Sequence, residues 1–233
     1  MTLPSRQTLQ HLGETLLIGA VGGIFFNAMG IPAGFLSGAM IFECFTPGIG
    51  QIMKLAGCEF LIHDMEHAGL GLDTLKMLTA TCRGIGVEPM VRVPRGDYHF
   101  IARALDVGAR GIMVPMVESR AQAEAIAEAM RYPPQGRRGA GFGFTHDDYR
   151  GTDVLGTMAQ ANARNLAIAQ IETERGLEAV DEIAAVAGID VLWVGHFDLT
   201  HFLGIPAAFD HPRYREALAR IVTAARRNAK GLG

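Results

Sequence analysis

The stretch "NLAIAQIETERGLEAVDEIAAVAGIDVLWVGHFDL" (residues 165–199) decides the fold. It opens on a near-continuous apolar run (165–173), passes through a helix-spaced segment (174–188) that stops on Gly188, and enters a second apolar run (190–199). Strands apolar along their whole length are covered on both faces, which is the condition of a parallel sheet, and the amphipathic segment between them is then the crossover helix. Outward from this unit the pattern repeats. "GAMIFEC" (38–44) precedes "PGIGQIMKLAG" (47–57), and "CEFLIHDM" (58–65) precedes "LDTLKMLTATCRGIG" (72–86). "EPMVRVPR" (88–95) precedes "DYHFIARALDVG" (97–108), with Asp97 as helix N-cap, and "RGIMVPMV" (110–117) precedes "SRAQAEAIAEAMR" (119–131), with Ser119 as N-cap. The run at 190–199 is followed by "HPRYREALARIVTAARRNAK" (211–230). Strict alternation of strands and helices predicts an α/β protein of the (β/α)8 TIM-barrel type, occupying residues 38–233. A full barrel takes about 250 residues. Six units are legible after Gly38, and a seventh strand would be starting at "KGLG" (230–233), so the expectation is a barrel lacking its last strand–helix units.

Residues 1–37 stand apart as an apolar, glycine-rich N-terminal arm. From Thr15 to Phe42 no side chain is charged, a span longer than the about 20 residues that cross a bilayer. Gly19 and Gly23 form a GxxxG pair, whereas Asn27, Pro32 and the other glycines weaken a single helix. Two readings stay open, a glycine-rich arm of a cytoplasmic protein and a membrane contact through residues 15–42. A net charge of -3 without long runs of like charge excludes a nucleic-acid surface. The three cysteines, Cys44, Cys58 and Cys82, share no metal or redox spacing and read as reduced thiols.

In parallel barrels the chemistry sits at the C-terminal ends of the strands. There the sequence places Asp64, Glu66 and His67 after the second strand, Arg92 on the third, Gln170 and Glu172 on the fifth, and His196 and Asp198 on the sixth. Glu172 and Asp198 could cap the helices that follow. Arg92, within "MVRVP", needs a buried ion pair or an anionic ligand. Taken together, Glu172 and Asp198 offer a hard oxygen site for a divalent cation, open to water and substrate. A 2-oxo acid could chelate such an ion while the metal and Arg92 stabilise an enolate. His67, with one imidazole nitrogen bonded by Asp64, would be the base. Glu66 should point away from that pair, and His63, His146, His196 and His201 read as loop or supporting residues.

The segments "LIHDMEHAG", "VRVPRGDYHFIARALDVGARGIMVPMV", "RYPPQGRRGAGFG" and "QIETERGLEAVDEIAAVAGIDVLWVGHFDLTHFLGIP" resemble the HpcH/HpaI aldolase family over about Gly38 to Lys230. The resemblance implies a class II, metal-dependent pyruvate aldolase with a TIM-barrel fold. It implies Glu172 and Asp198 as ligands of Mg2+, Mn2+ or Co2+, Arg92 on the keto oxygen of pyruvate, and the Asp64–His67 dyad as base. It places Gln170 beside the metal and the backbone around Phe197 and Asp198 on the substrate carboxylate. Implied substrates are pyruvate, an aldehyde and 4-hydroxy-2-oxo acids, and the implied assembly is a homo-oligomer, hexameric or dimer-based. Departures are His196, where the family carries proline in G-P-x-D-L, the arm 1–37, and two strand–helix units that the family carries beyond the position of Gly233. The alternatives are a citrate- or malyl-CoA-lyase-like enzyme and an inactive truncated or membrane-attached chain.

Overall fold

The computed structural model describes residues 38–41 and 45–233. The arm 1–37, and with it nearly all of the proposed membrane contact at 15–42, lies outside the described residues. Among the described residues no helix is long and apolar enough to cross a membrane.

Seven parallel strands run in sequential order, β1 (Gly38–Ile41), β2 (Phe60–Asp64), β3 (Glu88–Arg92), β4 (Gly111–Val114), β5 (Leu166–Ile171), β6 (Val191–Val194) and β7 (Gly231–Leu232). Between them lie α1 (Ile49–Leu55), α2 (Leu72–Gly84), α3 (Tyr98–Asp106), α4 (Arg120–Met130), α5 (Val154–Arg164), α6 (Glu174–Glu178), α7 (Val180–Ala184), α8 (His196–Phe202) and α9 (Pro212–Arg227). The alternation predicted from sequence is therefore present, and the seventh strand starts where it was expected.

Period-two alternation sorts each strand into two faces. Leu61, Val91, Ile112, Ala169 and Leu192 face the helices and form the larger core with Leu75, Ile101, Ile126 and Ile221. Ile62, Met90, Met113 and Ile168 fill the inner face with Met40, Phe60, Leu166, Val191 and Trp193. Asp64, Arg92 and Gln170 lie two residues beyond Ile62, Met90 and Ile168, so the same alternation turns them inward above an apolar floor. Register brings them side by side, with Asp64 opposite Arg92 and Gln170 opposite Trp193.

Three local readings change. The helix expected across 174–188 is two short ones, because the N–H of Ala179 is shared between the carbonyls of Arg175 and Leu177, which closes α6. Helix α5 went unread in the sequence, although Asp153 marks its start by accepting a hydrogen bond from the N–H of Gly156 at 2.9 Å. The run 190–199 is not one strand, since β6 stops at Val194 and α8 begins at His196. Ser119 caps α4 as expected, accepting from the N–H of Gln122. Asp97 holds the N-cap position of α3 without a capping bond and pairs with Arg95 at 2.6 Å.

Candidate active site

Asp64 ends β2 fully buried, and its Oδ1 accepts from Arg92 Nε at 2.6 Å. The chain turns sharply after the strand, and the same carboxylate collects the backbone N–H groups of Glu66 and His67, each at 3.1 Å. Aspartate bonds its own backbone two and three residues on in this manner. Burial works against the charge of Asp64, but the hydrogen bond and charge of Arg92, with the two backbone donors, outweigh it and hold the carboxyl below its usual range.

This geometry alters two expectations. The imidazole of His67 is not bonded to Asp64, which takes the backbone N–H of His67 instead; the ring stands 60% exposed with Nε2 3.7 Å from Glu66 Oε2. Glu66 does not point away, because its Oε2 lies 3.1 Å from Arg92 Nη1. The turn held by Asp64 breaks the strand's alternation, so counting by twos from β2 no longer assigns a face to residue 66. Burial, reinforced by the charges of Asp64 and Asp198, raises the Glu66 carboxyl against the pull of Arg92 and His67.

Glu172 follows β5 directly and is 2% exposed. Its Oε1 accepts from the N–H of Met116 at 2.7 Å, and its Oε2 accepts from Gln170 Nε2. It does not cap α6; Thr173 does, accepting from the N–H of Gly176 at 3.0 Å. Burial, with Glu66 and Asp198 nearby, pushes the Glu172 carboxyl up to about 7 although the Met116 N–H favours its charge. Gln170 is 3% exposed, and its Oε1 is buried with no hydrogen-bond partner among the described residues. Gly195 fits this pair closely: a Cβ there would stand 2.6 Å from Glu172 Cβ and 2.8 Å from Gln170 Nε2.

Asp198 and Phe197 belong to the first turn of α8 rather than to a strand face, so His196 and Asp198, two apart, do not share a side as they would on a strand. The Phe197 side chain is 64% exposed and meets the Phe209 ring edge-on at 5.2 Å between centroids. His196, half-buried, bonds the Tyr214 hydroxyl through Nδ1, which ties α8 to α9. Burial lowers that imidazole and pushes the Tyr214 phenol up to about 12. Of the other histidines, His63 is no loop residue. It faces outward from β2, fully buried, 3.8 Å from Cys82 Sγ, and burial depresses it to about 4. His146 is buried in a 3-10 turn and His201 is exposed in the last turn of α8.

The structure thus brings Asp64, Arg92, Gln170 and Glu172 to one end of the sheet and couples Glu172 electrostatically to Glu66 and Asp198. Sequence reasoning missed the inward turn of Glu66, the Met116 N–H and the close packing of Gly195. Only the last had a signal, a lone glycine at a strand end. Among the described residues no group of three or more His, Cys, Asp and Glu side chains is poised around one point to hold a metal. Glu172 and Asp198 still fit a divalent cation: they are hard oxygen donors, and Glu172 is buried among like charges that a cation would relieve.

A family model described as HpcH/HpaI aldolase/citrate lyase matches residues 40–231. The hydroxypyruvate/pyruvate aldolase of Roseovarius nubinhibens is 35% identical over 198 residues, which cover 82% of this chain and 77% of that protein. The 5-keto-4-deoxy-D-glucarate aldolase of Shigella sonnei is 33% identical over 187 residues, covering 78% and 71%. The crystal structure of an HpcH/HpaI aldolase from Desulfitobacterium hafniense superposes with a TM-score of 0.81 at 32% identity, covering 84% of this chain and 75% of that one.

Proposed function

The chain belongs to the HpcH/HpaI aldolase/citrate lyase family and is an aldolase, a carbon–carbon lyase, and on that premise we propose that it joins pyruvate to an aldehyde, and cleaves the resulting 4-hydroxy-2-oxo acids, at the ends of β2, β3, β5 and β6. The observation that carries this reading is the buried cluster at that end, in which Glu172 sits among like charges beside the inward-facing pair of Arg92 and Asp64. The sequential parallel order of the strands supports a (β/α)8 barrel as the parent architecture.

A divalent cation held by Glu172 and Asp198 would supply Lewis-acid stabilisation of developing negative charge. The remaining work falls to the chain. Arg92, fixed by Asp64 on one side and Glu66 on the other, presents a pre-oriented guanidinium where a keto oxygen gains charge. Because Asp64 holds it from the end of β2, and the same carboxylate pins the turn that carries Glu66, little reorganisation accompanies that charge. His67 takes the proton from C3 of pyruvate. Its backbone is positioned by Asp64 and its exposed ring is free to reach a substrate above it. The first N–H groups of a helix have no partner within it, and those of Phe197 and Asp198 open α8 toward a substrate carboxylate. Gln170 steadies Glu172 and offers a buried carbonyl oxygen to a water or substrate hydroxyl. The same reading includes a cytoplasmic homo-oligomer, which light scattering on the purified chain tests.

The test is proton NMR of pyruvate in heavy water. Loss of the methyl signal that stops with EDTA and returns with Mg2+, Mn2+ or Co2+, together with aldol product when an aldehyde is added, is the expected result. A folded sample that never exchanges the methyl protons would overturn the proposal.

A further inference from the structure

At the opposite end of the sheet from Arg92 and Glu172, a cavity of about 210 Å3 lies where α2 ends and β4 begins, lined by Ala80, Arg83, Gly84, Arg110, Thr145, Asp148 and Tyr149. We propose that this cavity is a second binding site, for a compact oxyanion of charge -2, a phosphate or a short dicarboxylate. The proposal stands independently of the aldolase chemistry, since none of these residues belongs to the site at the other end.

The argument begins with what two arginines leave unused. Arg83 has a side chain only 6% exposed; one terminal nitrogen donates to the carbonyl of Thr145 and the other to Asp148. Arg110 donates through a single nitrogen to both oxygens of Glu88, at 2.7 and 3.0 Å. In each guanidinium the inner Nε is buried and finds no hydrogen-bond partner among the described residues. A buried donor without an acceptor is costly, and native structures satisfy such groups or use them.

The carboxylates that balance these charges sit on the solvent side: the Asp148 side chain is 60% exposed and that of Glu88 47%. Both acids engage terminal nitrogens only, so each leaves the Nε of its arginine unbonded. Arg164, at the end of α5, adds a third guanidinium close enough that burial together with the charges of Arg110 and Arg83 holds it below its usual range. The hydrogen bond between Thr145 and the Tyr149 phenol lowers that phenol below its usual range, and the charges of Lys76 and Arg83 add to it. Positive charge thus collects from α2, the loop before β4, and α5, and the carboxylates paired with it are Asp148 and Glu88.

Shape narrows the ligand. The floor is made by Ala80 and Gly84, small residues that leave a guanidinium-sided recess, and no Cβ of Gly84 would meet a neighbour within 4 Å. The volume suits a phosphate or a four-carbon diacid rather than a nucleotide. Arginine in planar, paired presentation recognises both classes through the same two-oxygen geometry.

The experiment is titration of the full-length chain with sodium phosphate and, separately, with sodium succinate, followed by calorimetry and by thermal unfolding, each against sodium chloride of matched ionic strength. The expected result is saturable binding of at least one dianion and a rise in Tm beyond the chloride control. Arg110→Gln should weaken that binding by about tenfold or more, as loss of one charge-assisted contact does, while metal-dependent pyruvate exchange stays unchanged. Arg83→Gln is the second variant and should act alike if it folds. Binding of phosphate alone or of succinate alone would assign the class. Tm shifts no larger than those with chloride, or an affinity unaltered in Arg110→Gln, would overturn the site.

Discussion

Gly195→Ala tests the geometry of the candidate active site with a single methyl group. The new Cβ would lie 2.6 Å from Glu172 Cβ and 2.8 Å from Gln170 Nε2. Non-bonded carbons settle at about 3.5–4.0 Å, so one partner must move by about 1 Å. The backbone of residue 195 has little room to yield, because its N–H donates to the carbonyl of Ile171 at 3.2 Å and its carbonyl accepts from the N–H of Leu199 at 2.8 Å. Glu172 and Gln170 are the groups that shift, and with them the bond from the Met116 N–H. A misplacement of about 1 Å in reacting or ligating groups costs about a hundredfold in rate. The expected outcome is a hundredfold loss in metal-dependent pyruvate methyl exchange, with metal affinity by calorimetry reduced and far-UV circular dichroism unchanged. Exchange and affinity within threefold of the parent chain would refute the reasoning, since they would mean that Glu172 is not held where the structure shows it.

Further outcomes follow from the contacts described above. Glu172→Gln keeps the shape and removes the charge, so calorimetric Mn2+ binding should fall below detection; unchanged affinity would remove Glu172 from the ligand set. Because burial among like charges places the Glu172 carboxyl near 7, protons compete with the cation below that pH; metal affinity should drop by about tenfold per pH unit under pH 7 and level off above it, and a flat profile from 5.5 to 8.5 would contradict the assignment. Without metal the sign is opposite: a carboxyl raised from 4.5 to about 7 by folding favours the folded state at low pH and loses that contribution as pH rises through 7. His63 works the other way, since its depression from 6.5 to about 4 gives stability that is present above 6.5 and lost as pH falls toward 4. The difference in urea midpoint between parent and His63→Gln, taken from pH 7.5 to 4.5, isolates that effect, and no change in the difference would exclude it. Asp64→Asn should destabilise by about 3 kcal/mol in urea unfolding, because it strips the buried Arg92 of its closest countercharge; a loss under about 1 kcal/mol would show that Glu66 alone suffices.

Much of this protein was legible in one dimension. Apolar runs alternating with helical spacing gave the parallel sheet, and residues at the ends of those runs named Asp64, Arg92, Gln170 and Glu172 as inward-facing, because a strand's period of two needs no tertiary information. The same rule failed wherever the backbone stopped being a strand. Asp64 ties the next two N–H groups into a turn, which swings Glu66 toward Arg92 and takes the carboxylate away from the His67 ring. The start of α8 at His196 places Asp198 on a helical turn, where the spacing that works on β6 assigns no face. Glu172, for which position alone left a helix cap open beside a metal ligand, does not cap α6 and accepts from the N–H of Met116, a residue 56 positions away. These are decisions of packing and register between distant segments, and local periodicity carries no record of which backbone N–H or which charge will stand across the gap. The sequence alone determined which residues face the interior of the sheet. Only the tertiary structure decided which of them touch, which are driven toward neutrality by their neighbours, and where a buried arginine Nε is left without an acceptor among the described residues.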